Sequence, residues 1–283
     1  MDVIREMYQR WARGEGLGDD SWGDVTVEPG GVDYLEVEAG GVPAMWIRPH
    51  RAAQDRVIVA FHGGGFVGGS LYTHRKLFGH LAKAASVRAL LVHYRLAPEF
   101  AYPAQIEDAV AAYRWVVDQG LTAALAGDSS GGGLCVQTAL RIRDLGLPEP
   151  AALLLMSAWV DMELTASTFE SNAATDVFFT REMVQGLVSA YLQNGESPKD
   201  PLVNALYADL SGLPPMYLQV GADETGLDDS RRLAEQARKA GVEVRLDVFD
   251  GRLHTFQMAA GRTPEADDAI RRFAAWVRPK LGR

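Results

Sequence analysis

Ser129 stands in a turn of small residues that could make its hydroxyl group a nucleophile. A predicted strand at 122–126 leads into Gly127-Asp128-Ser129-Ser130-Gly131, which has the pattern Gly-x-Ser-x-Gly. The two glycines allow a sharp turn between a strand and a helix, which lifts the hydroxyl above the edge of a sheet. The backbone N–H of Ser130 would face an oxygen that becomes negative during attack on a carbonyl. Alone, the pattern also fits an ordinary glycine-rich turn. Other residues must therefore show whether this turn is catalytic.

A serine nucleophile needs a base, and His254 is the one histidine that follows Ser129 in the sequence. It lies in a loop just after the last predicted strand, where a base can reach over the sheet edge. We expect His74 and His80, on a predicted helix, to be solvated or to cap that helix. Five histidines precede the serine: His50, His62, His74, His80 and His93.

The acid that orients the base is expected between the serine and the histidine, after the predicted strand 216–220. Four carboxylates follow that strand: Asp223, Glu224, Asp228 and Asp229. Asp223 is nearest the strand end and is our prediction for the acid, with Glu224 as its rival. Asp228 or Asp229 suits the N-cap and first turn of the next helix, which is a structural role.

A glycine-rich loop, Phe61-His62-Gly63-Gly64-Gly65-Phe66, follows the third predicted strand. Its glycines allow close backbone approach to a substrate oxygen, so Gly64 and Gly65 are predicted donors of an oxyanion hole. Gly63-x-Gly65-x-x-Gly68 also matches the dinucleotide-binding fingerprint. However, the next strand ends at His93 rather than in a ribose-binding acid, and a hairpin precedes the supposed first strand. We therefore predict no cofactor, and because a single cysteine excludes a cysteine-based metal site, we predict no metal.

Strands and helices alternate along most of the chain, which predicts an α/β domain over 1–283. Continuous apolar runs, typical of buried parallel strands, lie at 57–61, 89–92, 123–126, 152–156 and 216–220, with a mixed run at 242–249. Helical patterns lie at 72–85, 103–118, 130–145, 228–240 and 264–281. Two alternating segments at 32–38 and 42–48 predict an antiparallel hairpin before the mainly parallel sheet.

Two segments have no place in this alternation, and we expect them to form cap elements at about 1–25 and about 160–213. The first contains an amphipathic helix over 2–13 and the second a helix over 181–193. The alternatives are packing of the first helix on the back of the sheet and an ordinary crossover for the second. Candidate pocket residues, which also fit a plain core, are Phe66, Val67, Trp159, Met162, Phe178, Phe179 and Leu187.

Composition favours a small neutral partner. The net charge is −9 and the pI is about 5.2, which opposes binding to nucleic acid or an anionic membrane. The absence of a long apolar run predicts a soluble, cytoplasmic protein. A lone cysteine, Cys135, excludes an intrachain disulfide and is expected to be buried and inert. The strand at 242–249 could pair in a homodimer, although its charges are also those of a protected edge.

Several motifs together resemble the bacterial hormone-sensitive-lipase-like esterases of the α/β-hydrolase superfamily, from about residue 57 to the C-terminus. They are His62-Gly63-Gly64-Gly65-Phe66, His93-Tyr94-Arg95-Leu96-Ala97-Pro98-Glu99, Gly127-Asp128-Ser129-Ser130-Gly131-Gly132, Asp223-Glu224 and His254. The resemblance implies an eight-stranded α/β-hydrolase sheet with a small helical cap. It also implies Ser129, Asp223 and His254 as a triad, with Gly64, Gly65 and Ser130 as oxyanion donors.

The resemblance implies a carboxylic ester hydrolase, and segments 210–215 and 228–231 look most like monoterpene lactone hydrolases, so lactones join open esters as expected substrates. Departures from the family pattern are Ser130 for alanine, His93 for aspartate and Gly226 for a larger apolar residue. The alternatives are a catalytically silent small-molecule receptor, which a missing triad member would mark, and an amidase or acyltransferase with the same triad.

Overall fold

The computed structural model describes residues 3–16 and 20–282, and within them eight strands form one sheet. The strands are β1 (Val32–Ala39), β2 (Val42–Pro49), β3 (Ala53–Phe61), β4 (Val87–Val92), β5 (Thr122–Asp128), β6 (Leu153–Met156), β7 (Met216–Gly221) and β8 (Val244–Phe249). Their order is β1-β2-β4-β3-β5-β6-β7-β8. The β1–β2 and β2–β4 pairs are antiparallel and the others are parallel, which confirms the predicted fold.

Helices flank the sheet on both faces. They are α1 (Val3–Ala12), α2 (Leu71–Ala85), α3 (Ala104–Val117), α4 (Ser130–Asp144), α5 (Thr168–Ser171), α6 (Arg181–Tyr191), α7 (Leu227–Lys239) and α8 (Pro264–Lys280). Several begin at the caps that their sequences indicate. The Ser70 hydroxyl accepts the N–H groups of Tyr72 and Thr73 at the start of α2, and Thr263 caps α8 ahead of Pro264.

Two apolar clusters lie on opposite faces of the sheet because alternate residues of each strand point in opposite directions. On β3, Val57 and Val59 enter the cluster that contains residues of α3, α4, α6 and α7. Ile58 and Ala60 enter the other cluster, with residues of α1, α2 and α8. Helix α1 thus packs on the α2 and α8 side of the sheet through Ile4, Met7 and Tyr8.

Two expectations from the sequence, on membrane-spanning segments and on Cys135, can be compared with the fold of the described residues. None of the helices in residues 3–16 and 20–282 has the length and apolar composition needed to cross a membrane. Cys135 is fully buried on α4, and burial raises the pKa of its thiol well above the usual value. The thiol therefore stays protonated, as the prediction of an inert cysteine requires.

Candidate active site

Ser129 lies at the sharp turn between β5, which ends at Asp128, and α4, which begins at Ser130. Its backbone has φ 52° and ψ −122°, a conformation that non-glycine residues rarely adopt and that is often found at active sites. The flanking glycines are required by close packing. A Cβ on Gly127 would collide with the carbonyl of Gly131, and one on Gly131 would collide with that of Phe61.

His254 follows β8 and reaches back over the end of β5. Its Nε2 lies 2.8 Å from Ser129 Oγ, and its Nδ1 lies 2.7 Å from Glu224 Oε2. Both Ser129 and His254 are only 5% exposed, so water competes little for these hydrogen bonds. The serine, the histidine and a carboxylate thus form one continuous hydrogen-bonded chain, the arrangement that activates a serine hydroxyl.

The carboxylate in this chain belongs to Glu224, and the prediction of Asp223 is wrong. Glu224 is fully buried, and its Oε1 accepts the Ser157 hydroxyl at 2.9 Å and the Gly221 N–H at 2.5 Å. Asp223 points outward, with its side chain 29% exposed and 3.4 Å from Arg5 on α1. The chain turns directly after β7, so the longer side chain one residue further on faces the histidine.

The surroundings of His254 favour its charged form. Burial lowers the pKa of His254, but the hydrogen bond and charge of Glu224 raise it, as do the charges of Asp176 and Asp128. The net result is a pKa above the ordinary value of the imidazole. The ring of Phe179 stacks on the imidazole with centroids 4.3 Å apart and an interplanar angle of 14°. A proton taken from Ser129 would therefore enter a site that stabilises the cation.

The glycine-rich loop after β3 lies beside Ser129. Gly64 and Gly65 have φ values of 123° and 64°, and both line the same cavity as Ser129. Asp128 anchors the loop by accepting the Gly63 N–H at 2.9 Å. Ser130 also holds this loop in place, because its Oγ accepts the Phe66 N–H at 3.3 Å. An alanine at position 130 could not make this contact.

A cavity of about 520 Å³ opens above Ser129 and His254. It is lined by Tyr8, Trp11, Trp22, Gly64, Gly65, Val67, Gly68, Gly69, Ser70, Thr73, Ser129, Phe178, Phe179, Met183, Leu187, His254 and Thr255. Four predicted pocket residues are among them: Val67, Phe178, Phe179 and Leu187. A larger crevice of about 740 Å³ lies beside α3 and α4, away from the serine and histidine.

The other three predicted pocket residues, Phe66, Trp159 and Met162, do not line the cavity. Each is at most 2% exposed and belongs to the apolar cluster on the side of the sheet that contains α3, α4, α6 and α7. Phe66 stacks on Tyr191 of α6 with ring centroids 4.1 Å apart, so its ring fills the space between the sheet and α6. Conversely, Tyr8, Trp11 and Trp22 line the cavity and are not among the residues predicted for the pocket, although the apolar stripe of α1 contains the first two.

Comparison with known proteins agrees with this geometry. A family model described as α/β-hydrolase fold matches residues 58–258. The chain belongs to that family. An acetyl-hydrolase of Streptomyces hygroscopicus is 36% identical over 267 residues, covering 93% of this chain and 87% of that protein. An esterase of Acinetobacter venetianus is 35% identical over 243 residues, covering 81% and 80% of the two chains.

Solved structures of similar proteins indicate to which group within this family the chain belongs. An esterase from the bacterial hormone-sensitive lipase family superimposes with a TM-score of 0.94 at 39% identity, covering 99% of this chain and 98% of that one. The esterase EstE5, from a crystal soaked with p-nitrophenyl butyrate, superimposes with a TM-score of 0.92 at 34% identity, covering 99% of this chain and 98% of that one. The resemblance found in the motifs is therefore confirmed, and this α/β-hydrolase is a carboxylic ester hydrolase of the hormone-sensitive lipase group.

Within this α/β-hydrolase, Asp128 also contacts a buried histidine. His74 is fully buried, with Nε2 3.2 Å from Asp128 Oδ2 and Nδ1 2.7 Å from Thr73 Oγ1, so the expectation of a solvated or capping residue is wrong. His62 stacks on Tyr94, and burial lowers its pKa to about 3, which keeps it neutral. His74 therefore contacts the same Asp128 carboxylate that holds the glycine-rich loop through Gly63.

Asp228 and Asp229 have the structural role that their positions predicted, although not as caps of α7, whose N-cap is Gly226. Asp229 accepts the N–H groups of Val160 and Asp161 at 3.1 and 3.0 Å. Asp228 accepts the Ser167 N–H at 3.0 Å. Burial and the neighbouring Asp161 raise the pKa of Asp229 to about 7. The two carboxylates therefore fasten the start of α7 to the segment that follows β6.

Proposed function

We propose that this carboxylic ester hydrolase cleaves small to medium apolar esters through an acyl-enzyme intermediate on Ser129. The observation that carries the proposal is the hydrogen-bonded chain from Ser129 through His254 to Glu224, which opens into the 520 Å³ cavity. Aromatic and aliphatic side chains make up much of the cavity wall, which suits the apolar parts of an ester.

In the first half of the reaction, Ser129 Oγ bonds to the ester carbonyl carbon while its proton passes to His254 Nε2. The carbonyl oxygen becomes an anion and accepts the backbone N–H groups of Gly64, Gly65 and Ser130. Glu224 keeps the Nδ1–H in place and stabilises the imidazolium. When the tetrahedral intermediate collapses, the carbon–oxygen bond to the alcohol breaks, and His254 gives its proton to the departing alcohol.

In the second half, a water molecule attacks the acyl carbon and gives a proton to His254 Nε2. The same three N–H groups hold the second oxyanion. Collapse breaks the bond to Ser129 Oγ, which regains its proton from His254, and the carboxylic acid leaves. The enzyme returns to its starting state without a cofactor.

The relatives support a choice of test substrates. One is named an acetyl-hydrolase, and EstE5 was soaked with p-nitrophenyl butyrate. We infer that short acyl esters fit this cavity as well, and lactones stay a prediction based on sequence segments 210–215 and 228–231. A cytoplasmic location and a homodimer also stay predictions, which cell fractionation and sedimentation equilibrium would test.

The experiment compares the wild type, Ser129→Ala and Ser189→Ala on p-nitrophenyl acetate, butyrate and octanoate, a lactone and a p-nitroanilide. Ser189 is an exposed serine on α6, so its substitution controls for the loss of a hydroxyl. We expect Ser129→Ala to lose at least about 10⁴-fold in kcat, with Ser189→Ala unchanged. Binding without turnover in the wild type would indicate a receptor, and faster transfer to an added alcohol than to water would indicate an acyltransferase.

A further inference from the structure

Asp176 is a buried carboxylate that the proposed reaction does not use. It lies between α5 and α6 and is 1% exposed. Its Oδ1 accepts the N–H of Phe179 at 3.1 Å, and its Oδ2 accepts the N–H of Thr225 at 3.1 Å. The Thr225 hydroxyl lies 3.4 Å from the same Oδ2 and 2.5 Å from the Phe179 carbonyl. Asp176 therefore joins two segments that are far apart in sequence.

Both of these segments contact the catalytic imidazole. Phe179 stacks its ring on His254, and Thr225 directly follows Glu224, whose carboxylate binds His254 Nδ1. Asp176 thus holds the backbone at Phe179, whose ring covers one face of the imidazole, and at Thr225, next to the acid Glu224. A shift of either segment would change the direction in which Nε2 points at Ser129.

Neighbouring side chains reinforce the same junction, but they do so without charge. Thr168 donates to the Thr225 carbonyl at 2.6 Å, and Thr175 donates to the Asp223 carbonyl at 2.8 Å. Asn172 donates to the Glu224 carbonyl at 2.8 Å. These three donate to carbonyls, whereas Asp176 accepts N–H groups and brings a negative charge. Its substitution therefore affects both the geometry and the electrostatics of the site.

We propose that Asp176 is a positioning residue for ester hydrolysis, which holds Phe179 and the Glu224 loop against His254 and places a further negative charge beside the imidazolium. The inference rests on the proposed function, because it assigns His254 as the base. It extends that function by giving the segment between α5 and α6 a role in the chemistry as well as in the cavity wall.

Several groups face His254 from the elements packed around it. Glu224 follows β7, Asp128 ends β5 and Asp176 comes from the segment before α6, and all three charges raise the pKa of the imidazole. Tyr8 of α1 donates to the His254 carbonyl at 2.7 Å, and burial keeps this phenol protonated by raising its pKa. Loss of the Asp176 charge should therefore lower the pKa of His254, and loosening of Glu224 would act in the same direction.

The test compares Asp176→Asn with Asp209→Asn, on p-nitrophenyl butyrate across the pH range. Asp209 is an exposed acid before β7 whose carboxylate accepts the neighbouring Ser211 N–H at 2.9 Å, so it controls for the change of charge. We expect Asp176→Asn to lower kcat about tenfold or more and to move the acidic limb of kcat/KM down by about 0.5 pH unit or more. KM should change less than kcat, and Asp209→Asn should match the wild type in each respect.

An Asp176→Asn protein that folds, keeps the wild-type kcat and leaves the acidic limb in place overturns the proposal, and so does an upward shift of that limb. If circular dichroism shows that this variant does not fold, the kcat of Thr225→Val tests the proposal instead. Thr225→Ser is its control, because it keeps the hydroxyl group. Thr225→Val should lower kcat several-fold while Thr225→Ser does not, and equal kcat values overturn the proposal. All these variants keep Ser129, so failure of the acyl-enzyme mechanism would be seen separately in Ser129→Ala.

Discussion

Glu224 is the carboxylate that contacts His254, so its substitution should damage the reaction more than that of its neighbour. We expect Glu224→Gln to lower kcat about 10³-fold or more, because an amide neither orients nor stabilises the imidazolium as a carboxylate does. Asp223→Asn is the matched control, since Asp223 pairs with Arg5 at the surface, and it should stay within about threefold of the wild type. Steady-state kinetics on p-nitrophenyl butyrate provides the comparison, and the reverse ranking would contradict the assignment.

The protonation of His254 sets the expected pH dependence. Its pKa is raised above the ordinary value of about 6.5, and the base must be neutral to accept the Ser129 proton. As the pH falls through that pKa, the imidazole becomes charged and kcat/KM should decline. A pH profile of kcat/KM should therefore show an acidic limb with its midpoint above about 6.5. Full activity well below pH 6 would contradict the protonation state that we assign.

At the level of single residues, the Gly-x-Ser-x-Gly pattern predicts Ser129, and the order along the chain predicts His254 as its base. The acid could not be chosen this way because both candidates follow β7, and the path of the turn decides which side chain faces inward. His74 shows the same limit. A histidine on an amphipathic helix looks exposed until its contact with Asp128 at 3.2 Å is known, and that contact joins residues 54 positions apart in sequence.

At the level of elements, α1 performs two tasks that the sequence presented as alternatives. Ile4, Met7 and Tyr8 are buried in the cluster on the α2 and α8 side of the sheet, and Tyr8 and Trp11 also line the cavity. The helical period predicted the apolar stripe, but it could not predict which surface the stripe would cover. Deletion of α1 should accordingly lower both stability and activity, so a single substitution is the sharper test.

Trp11→Ala provides that test, with Trp115→Ala as its control. Trp11 lines the cavity, whereas Trp115 lies on α3 and packs near Trp46 of β2, with ring centroids 6.0 Å apart. We expect Trp11→Ala to lower kcat/KM several-fold for longer acyl esters and least for acetate, because long chains lose apolar contact with the indole. Trp115→Ala should lower the Tm without changing the ratio between substrates. An equal loss on all esters for Trp11→Ala would contradict its place in the substrate cavity.

At the level of the whole molecule, the order of the strands explains how distant residues meet. β5, β6, β7 and β8 are parallel neighbours, so the residues that follow β5, β7 and β8 lie at the same edge of the sheet. Ser129, Glu224 and His254 occupy these three positions. The alternation of strands and helices predicted this arrangement well, because it depends on periodicity and on the handedness of crossovers.

Long-range side-chain contacts lie beyond such prediction, and the segment between β6 and β7 shows this clearly. Its length and the period of α6 indicated an insertion near the cavity. The hydrogen bonds by which Asn172 and Asp176 hold the loop after β7 depend on the folded path of both segments. Local sequence patterns contain no information about that pairing, so Asp176 was not among the candidate residues.

The central claim is that the acyl group is transferred to Ser129, and trapping the intermediate tests it most directly. Wild-type protein mixed with p-nitrophenyl butyrate is quenched in acid within the first turnover, digested and examined by mass spectrometry. The account predicts one butyryl group on the peptide that contains Ser129, and none in Ser129→Ala treated in the same way. A butyryl group on another residue, or undiminished turnover by Ser129→Ala, would contradict it.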